Sequence, residues 1–411
     1  MWILLVQRIL RHLIRTGDLR LIMPDGSVFR LGDGQGETIT VHLKSPDLPK
    51  RIALRPELAV GEGYMNGDLV IDDDDLTGFL TLLMQNYTQQ RSAIWWQQPL
   101  VRLRRAIRRF DQFDPVGNAQ ANVAHHYDLS EALFKLFLDE DMQYSCGYFR
   151  TPKDTLEQAQ INKKAHIARK LLLEPGMSVL DIGCGWGGMA LTLARDYGVK
   201  VVGVTLSKEQ HIAASARARV CGLQDRIEFR HLDYRQVSEV FDRIVSVGMF
   251  EHVGAPHYRE YFGHVRRMLK LDGVALIHTI GRSDPPGYTS PFTAKYIFPG
   301  GYIPAMSETI AAVEHEALCT TDIEVWRLHY AQTLSHWHAR FMANIERARE
   351  IYDERFCRMW RYYLTVAELA FRYNHQVVFQ YQLSHRQDAV PLTRDYLYQS
   401  KADVQMHRVA E

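Results

Sequence analysis

The stretch Val179-Leu-Asp-Ile-Gly-Cys-Gly-Trp-Gly-Gly188 constrains this chain more than any other. An apolar run ends in an acid, a glycine-dense turn follows, and Met189-Ala-Leu-Thr-Leu-Ala-Arg195 carries helical spacing. That order predicts a buried strand, a tight loop and a helix start. Glycine accepts positive φ and lets backbone N–H groups approach a ligand with no Cβ between them. Gly183, Gly185 and Gly188 also satisfy the spacing of a dinucleotide fingerprint, so the glycines alone decide nothing. Asp181 shifts the balance. A carboxylate placed there pairs with a cationic amino group and repels a pyrophosphate. The loop therefore reads as a site for S-adenosylmethionine.

At 411 residues the chain has room for one large domain and a smaller one. Its 46% hydrophobic and 24% charged residues are those of a soluble globular protein. A net charge of +1 gives no global attraction to nucleic acid, and none is expected as a partner. The cysteines, at 146, 184, 221, 319 and 357, form no C-x-x-C pair, so no metal is expected. Such a scattered set suits a reducing cytosol. In the opening segment Arg8, Arg11 and Arg15 are interleaved with apolar residues, unlike the leading charges of a signal peptide. No run reaches the length of a membrane span, and the expected location is the cytoplasm.

The fold class expected is α/β: a doubly wound, Rossmann-like methyltransferase domain preceded by a small α+β domain. Residues 1–90 carry an amphipathic helix (Leu4, Leu5, Ile9, Leu10, Leu13), then strand-like pieces at Leu19–Met23, Val28–Leu31, Thr38–Leu43 and Ile52–Leu54, and a helix over Leu76–Met84. Residues 91–119 read as a basic helical linker. Trp95 and Trp96 stand near Arg102, Arg104, Arg105, Arg108 and Arg109, which suits either an anionic membrane surface or a solvated helix packed on its own protein. Over 120–411 strands alternate with helices. Strands are expected at Ser178–Ile182, Val199–Thr205, Arg226–Leu232, Asp242–Val247 and Gly273–Thr279. Aromatic residues from Tyr330 to Phe371 suggest a helical core or lid.

Ligands bind such sheets at the carboxyl ends of their strands, which gathers Asp181, Thr205, Asp233, Glu251 and His278 around one crevice. Thr205 ends the second strand, where an acid usually meets the ribose; Thr205 and Gln210 can do that work together. Asp233 and Tyr234 can flank adenine. Glu251 and His278 offer ionisable groups at two adjacent strand ends. Asp141-Met-Gln-Tyr-Ser-Cys-Gly-Tyr148 brings hydroxyls and a thiol in a segment able to fold over the cofactor. Ser283-Asp-Pro-Pro-Gly-Tyr288 is read as a turn.

From about Asn122 to Tyr381 the chain resembles the cyclopropane-fatty-acyl-phospholipid and mycolic acid cyclopropane synthases. The resemblance is carried by His126-Tyr-Asp128, Gln143-Tyr-Ser-Cys146, the glycine loop, Val204-Thr-Leu-Ser-Lys-Glu-Gln210, Arg243-Ile-Val-Ser-Val-Gly-Met-Phe-Glu-His-Val-Gly254, His278-Thr-Ile-Gly281, Tyr296-Ile-Phe-Pro-Gly-Gly301 and His329-Tyr-Ala-Gln-Thr-Leu334. It implies transfer of a methylene from S-adenosylmethionine across a cis double bond of an acyl chain. It also implies cofactor contacts at Tyr144, Ser145, Gly183, Gly185, Thr205 and Gln210, with Asp233 and Tyr234 near adenine. A bicarbonate ion is implied at Cys146, Glu251, His278, the backbone of Ile280, and Tyr330. The N-terminal module resembles the lipid-facing domain of the phospholipid enzymes, which implies an unsaturated membrane phospholipid as substrate, peripheral attachment to the inner face of the membrane, and a homodimer. A related outcome, a methyl or methylene branch without ring closure, shares the same chemistry up to its last step.

An alkene is a weak nucleophile, so the electrophile must be held close and in line. Attack leaves a carbocation that water would trap, so the pocket must be dry. Aromatic faces stabilise positive charge without reacting, and Tyr296, Phe298, Tyr330 and Trp337 are candidates.

Overall fold

The computed structural model describes residues 1–89 and 130–398. The basic segment at 91–119 and the His126-Tyr-Asp128 motif lie outside the described residues.

The N-terminal module opens with α1 (Trp2–Leu13), which turns Val6 to the interior. Strands β1 (Asp18–Ile22), β2 (Val28–Gly32), β3 (Thr38–Leu43) and β4 (Leu69–Ile71) form a sheet in the order β2-β1-β3-β4. β1 runs antiparallel to β2 and parallel to β3. The strand expected at Ile52–Leu54 is instead the end of helix α2 (Leu48–Leu54). Pro49 and Pro56 sit in the first turns of α2 and α3 (Pro56–Asn66), where a missing N–H costs nothing. Those two starts outweigh a three-residue apolar run. Helix α4 (Leu76–Gln89) closes the module.

The second region contains α5 (Leu156–Lys170), β5 (Ser178–Ile182), α6 (Gly188–Tyr197), β6 (Lys200–Thr205), α7 (Lys208–Val220), β7 (Ile227–His231), β8 (Phe241–Val247), α8 (Tyr258–Met268) and β9 (Leu269–Arg282). These are followed by α9 (Pro291–Tyr296), α10 (Met306–His315), β10 (Cys319–Trp326), α11 (His329–Ala343), α12 (Glu354–Tyr373) and β11 (Gln376–Ser384). The sheet order is β10-β11-β9-β8-β5-β6-β7. β5 to β9 are parallel, and β11 is antiparallel to both neighbours. Strand order reverses between β5 and β8, which puts the ligand crevice there. The methyltransferase-type α/β fold expected from the sequence is therefore present.

Two expectations need correction. The C-terminal part is not all helical: β10 and β11 extend the sheet. His278 does not end a strand either. β9 continues to Arg282, so His278 lies within it, opposite Val247 on one side and Gln380 on the other. The pairing with β11 supplies the backbone partners that carry β9 past the end of β8.

The aromatic helices α11 and α12 bury Tyr330, Trp337, Phe341, Trp360 and Phe371 at helical spacing. They share one apolar core with the N-terminal module. Gly61 of α3 makes this closeness feasible: a Cβ there would lie 2.4 Å from the Phe292 ring. Glu62, one residue on, accepts bonds from Lys295 Nζ at 2.7 Å, Tyr296 Oη at 2.8 Å and Arg51 Nη2 at 2.7 Å. Arg358 donates to the Tyr64 carbonyl at 2.6 Å, and Arg361 pairs with Asp74. The segment Ser283–Tyr288 bends at 283–285 and is otherwise irregular, part of the connection from β9 to α9 and compatible with its reading as a turn.

Candidate active site

One cavity at the carboxyl ends of β5 to β8 is lined by every residue assigned to the cofactor from sequence: Tyr144, Ser145, Asp181, Gly183, Gly185, Thr205, Gln210, Asp233 and Tyr234. Four strand ends and the loop before the sheet converge there because parallel strands all deliver their ends to one edge. Asp181 is buried, and its Oδ2 has no hydrogen-bond partner. Burial pushes its carboxyl up to about 7, against the pull of Lys163. Gly185 has φ +53, and a Cβ there would meet nothing within 4 Å, so the backbone bares itself to the cavity.

The departure at Thr205 now has a geometry. Its hydroxyl accepts from Ser207 N at 3.1 Å and donates to Gln210 Oε1 at 2.9 Å. Ser207 caps α7, which holds Gln210 in place. The Gln210 amide is thereby fixed with its NH₂ as the donor left for a ligand. Asp233 caps a short turn and is gripped by Arg235 through Nε at 2.9 Å and Nη2 at 2.7 Å. Tyr144 stacks on Trp337 at 5.1 Å and meets the Tyr363 hydroxyl at 2.9 Å. An adenosyl amino acid fits this donor set: an orphaned buried carboxylate for its amino group, an amide and hydroxyl for a ribose, and rings and an acid near a base.

The second predicted group, Cys146, Glu251, His278, Ile280 and Tyr330, is not part of that lining, but two of its members adjoin residues that are: Cys146 follows Ser145, and Glu251 precedes His252. Ser145 faces the cavity, while the fully buried Cys146 belongs to the α11 side, where the next amide, Gly147 N, donates to Thr333 Oγ1 at 2.9 Å. Thr333 is one turn from Tyr330. Burial pushes the Cys146 thiol up, so it stays protonated.

Glu251 sits in the short turn Phe250–His252 after β8. Its Oε1 accepts from Ile280 N at 2.6 Å, and its buried Oε2 has no partner. The Ile280 N–H is therefore engaged by Glu251, which ties these two members of the predicted group together. Burial pushes Glu251 up to about 7, with the Ile280 N–H opposing. His278 Nδ1 lies 3.0 Å from Gln380 Nε2, and with that amide donating, the ring proton sits on Nε2. Burial, reinforced by Lys163, keeps His278 neutral. Tyr330 packs edge-on against Trp337 at 5.7 Å and against Phe371 at 4.9 Å. By their chemistry these groups are hydrogen-bond donors: an acid able to hold a proton, a neutral imidazole N–H, a thiol and a phenol.

The sequence reading missed several residues at the cavity. Trp186 and the half-buried His252 line it, as does Gln143. Burial holds His252 down to about 4, so it is neutral. Behind the wall, α5 turns Gln160, Lys163, His166 and Lys170 inward. That polar stripe at helical spacing was the available signal.

A family model described as mycolic acid cyclopropane synthetase matches residues 116–381. A cyclopropane-fatty-acyl-phospholipid synthase of Escherichia coli (strain K12) is 40% identical over 332 residues, covering 81% of this chain and 84% of that protein. A probable fatty acid methyltransferase of Pseudomonas putida is 36% identical over 392 residues, 92% of this chain and 96% of that protein. The crystal structure of the mycolic acid cyclopropane synthase CmaA1 with SAH and CTAB superposes with a TM-score of 0.62 at 35% identity, over 66% of this chain and 99% of that one.

Proposed function

The chain belongs to the mycolic acid cyclopropane synthetase family, and from that premise we propose that it moves a methylene from S-adenosylmethionine to a cis double bond of a phospholipid acyl chain, closing a cyclopropane ring. The bound cofactor supplies the electrophilic carbon. The nine cavity residues bind and orient it, with Asp181 taking the amino group and Gln210 a ribose hydroxyl. Cys146, Glu251, His278 and Tyr330 would hold bicarbonate, which supplies the base that removes the last proton. Ile280 acts one step back, by aligning Glu251. The observation that carries this reading is Glu251, a buried acid held by Ile280 N at one oxygen and without a partner at the other, one residue before the cavity-lining His252. Trp337, stacked on the cavity residue Tyr144, and Tyr330 packed on Trp337 favour a dry surround with rings able to stabilise positive charge.

A phospholipid substrate is supported by the E. coli relative's printed name. The P. putida match, at 392 residues, extends into the N-terminal module, which the family model leaves out. That same relative is named a fatty acid methyltransferase and favours the second reading, a branch in place of a ring. The two part at the carbocation: loss of a methyl proton with C–C closure gives the ring, a 1,2-hydride shift before that loss gives a methylene branch, and loss of a proton from a flanking carbon gives a methyl-branched alkene. Incubation with labelled cofactor and unsaturated vesicles, with NMR of the lipid, separates them. A homodimer completes the reading, as the resemblance implies.

Among the described residues no helix is long and apolar enough to cross a membrane. We place the membrane contact on the outer face of α1. Met1, Leu4 and Leu5 are exposed there, followed by exposed Arg8 and Arg11 and, just past the helix, Arg15. An apolar tip beside a basic stripe suits an anionic bilayer. The double substitution Arg8→Glu/Arg11→Glu is expected to weaken sedimentation with anionic vesicles by at least about tenfold, since each basic residue near such a surface contributes about 1 kcal/mol. Affinity for S-adenosylhomocysteine should not move. Unchanged vesicle binding would take α1 out of the contact.

A further inference from the structure

We infer that Lys163 is a positioning residue that makes the Ser145 hydroxyl a hydrogen-bond donor to the carboxylate of the bound cofactor. The inference rests on the cofactor reading above and goes beyond it by naming the group that sets the polarity of the wall.

Lys163 is 0% exposed. Its Nζ donates to Ser145 Oγ at 2.7 Å and to Gln143 Oε1 at 2.8 Å. An ammonium has donors only. Ser145 Oγ must therefore accept from it, and the hydroxyl hydrogen has to point to another acceptor. Ser145 also lines the cavity. The adenosyl amino acid has one anionic acceptor, its carboxylate, while its amino group goes to Asp181. The two poles of the amino acid then meet two opposite charges that already feel one another.

The neighbouring contacts hold this polarity. Gln160 Nε2, from the same α5, donates to the Ser145 carbonyl at 2.9 Å, so the backbone is clamped with the side chain. Gln143 keeps its amide oxygen on Lys163 while its Nε2 lies 3.3 Å from Asp141 Oδ2. Asp141 is in turn paired with Lys164 and Arg217. The amide cannot turn over without breaking that chain. When protonated, Lys163 is a buried cation that favours an incoming anion, because removing a cation from water costs several kcal/mol unless it is compensated, and the anion in turn favours its protonated form. Burial holds it down to about 7 even with Asp139 pulling the other way.

The test is calorimetric and needs no lipid. S-Adenosylhomocysteine carries the carboxylate, and 5′-methylthioadenosine lacks the whole amino-acid part. Lys163→Met is expected to weaken S-adenosylhomocysteine binding by about 10- to 100-fold, the range of a hydrogen bond to a charged group, with 5′-methylthioadenosine unaffected. Ser145→Ala should show the same selective loss, and the double variant should lose no more than either single one, because both act on one contact. Equal weakening of both nucleosides, unchanged S-adenosylhomocysteine binding, or additive losses would overturn the assignment. If Lys163→Met does not fold, Ser145→Ala decides alone by the same ratio. Failure to modify lipid would count against the proposed reaction and leave these affinities as they are.

Discussion

Glu251→Gln is expected to lower lipid turnover by at least about 100-fold, the usual contribution of a positioned proton-transfer group, while S-adenosylhomocysteine affinity stays within about threefold of wild type. The substitution keeps the side chain's shape and the acceptor for Ile280 N, so the turn after β8 stays anchored. What changes is the second oxygen, buried and without a partner. A carboxyl pushed up to about 7 can share a proton with a bound anion at neutral pH. An amide cannot. The affinity should hold because Glu251 does not line the cofactor cavity. Turnover near wild type would remove Glu251 from the chemistry.

The second large effect concerns Asp181 and is read through pH. Burial raises its carboxyl from 3.8 to about 7. A folded-state value above the unfolded one means that the fold binds the proton more tightly. The group's favourable contribution is therefore complete below about 4 and is lost as pH rises through about 7. At about 1.4 kcal/mol per pH unit between those two values, ionised Asp181 costs the ligand-free fold on the order of 4 kcal/mol at pH 8. The cofactor's ammonium offsets that cost, and only with the ionised acid. S-Adenosylhomocysteine affinity should therefore drop by up to about tenfold per pH unit as pH falls below 7. Asp181→Asn should bind at least about tenfold more weakly at pH 8 and show a flat profile across the same range. A wild-type affinity that does not change between pH 5.5 and 8 would contradict the pairing; titration calorimetry measures it directly.

Much of this was legible because the cofactor half of the site is written in local grammar. A strand, an acid and a glycine turn announce Asp181 to Gly188, and the strand ends that follow are close in sequence to apolar runs. The anion half was less legible because its partners come from distant segments. His278 meets Gln380, 102 residues later, and Cys146 adjoins an amide held by Thr333, 186 residues from Gly147. β11 was missed for a related reason. Its inward positions include Gln380 and Gln382, both fully buried, which answer His278 and the Lys170 carbonyl and break the apolar pattern of a central strand. The inward stripe of α5 is polar as well, so hydrophobic periodicity could not flag Lys163. The misread piece at Ile52–Leu54 shows the limit of short apolar runs: two prolines at helix starts mattered more than three apolar residues.

Ring formation on a lipid is tested most directly by incubating the full chain with methyl-labelled S-adenosylmethionine and vesicles of cis-unsaturated phospholipid, then recording the proton NMR spectrum of the extracted lipid. Mass alone does not separate a ring from a methylene branch, since each adds CH₂. The expected result is label in the acyl chain, with ring protons at unusually high field and loss of the olefinic signal. Lipid that carries no label, or label found only in a methyl or methylene branch, would contradict it.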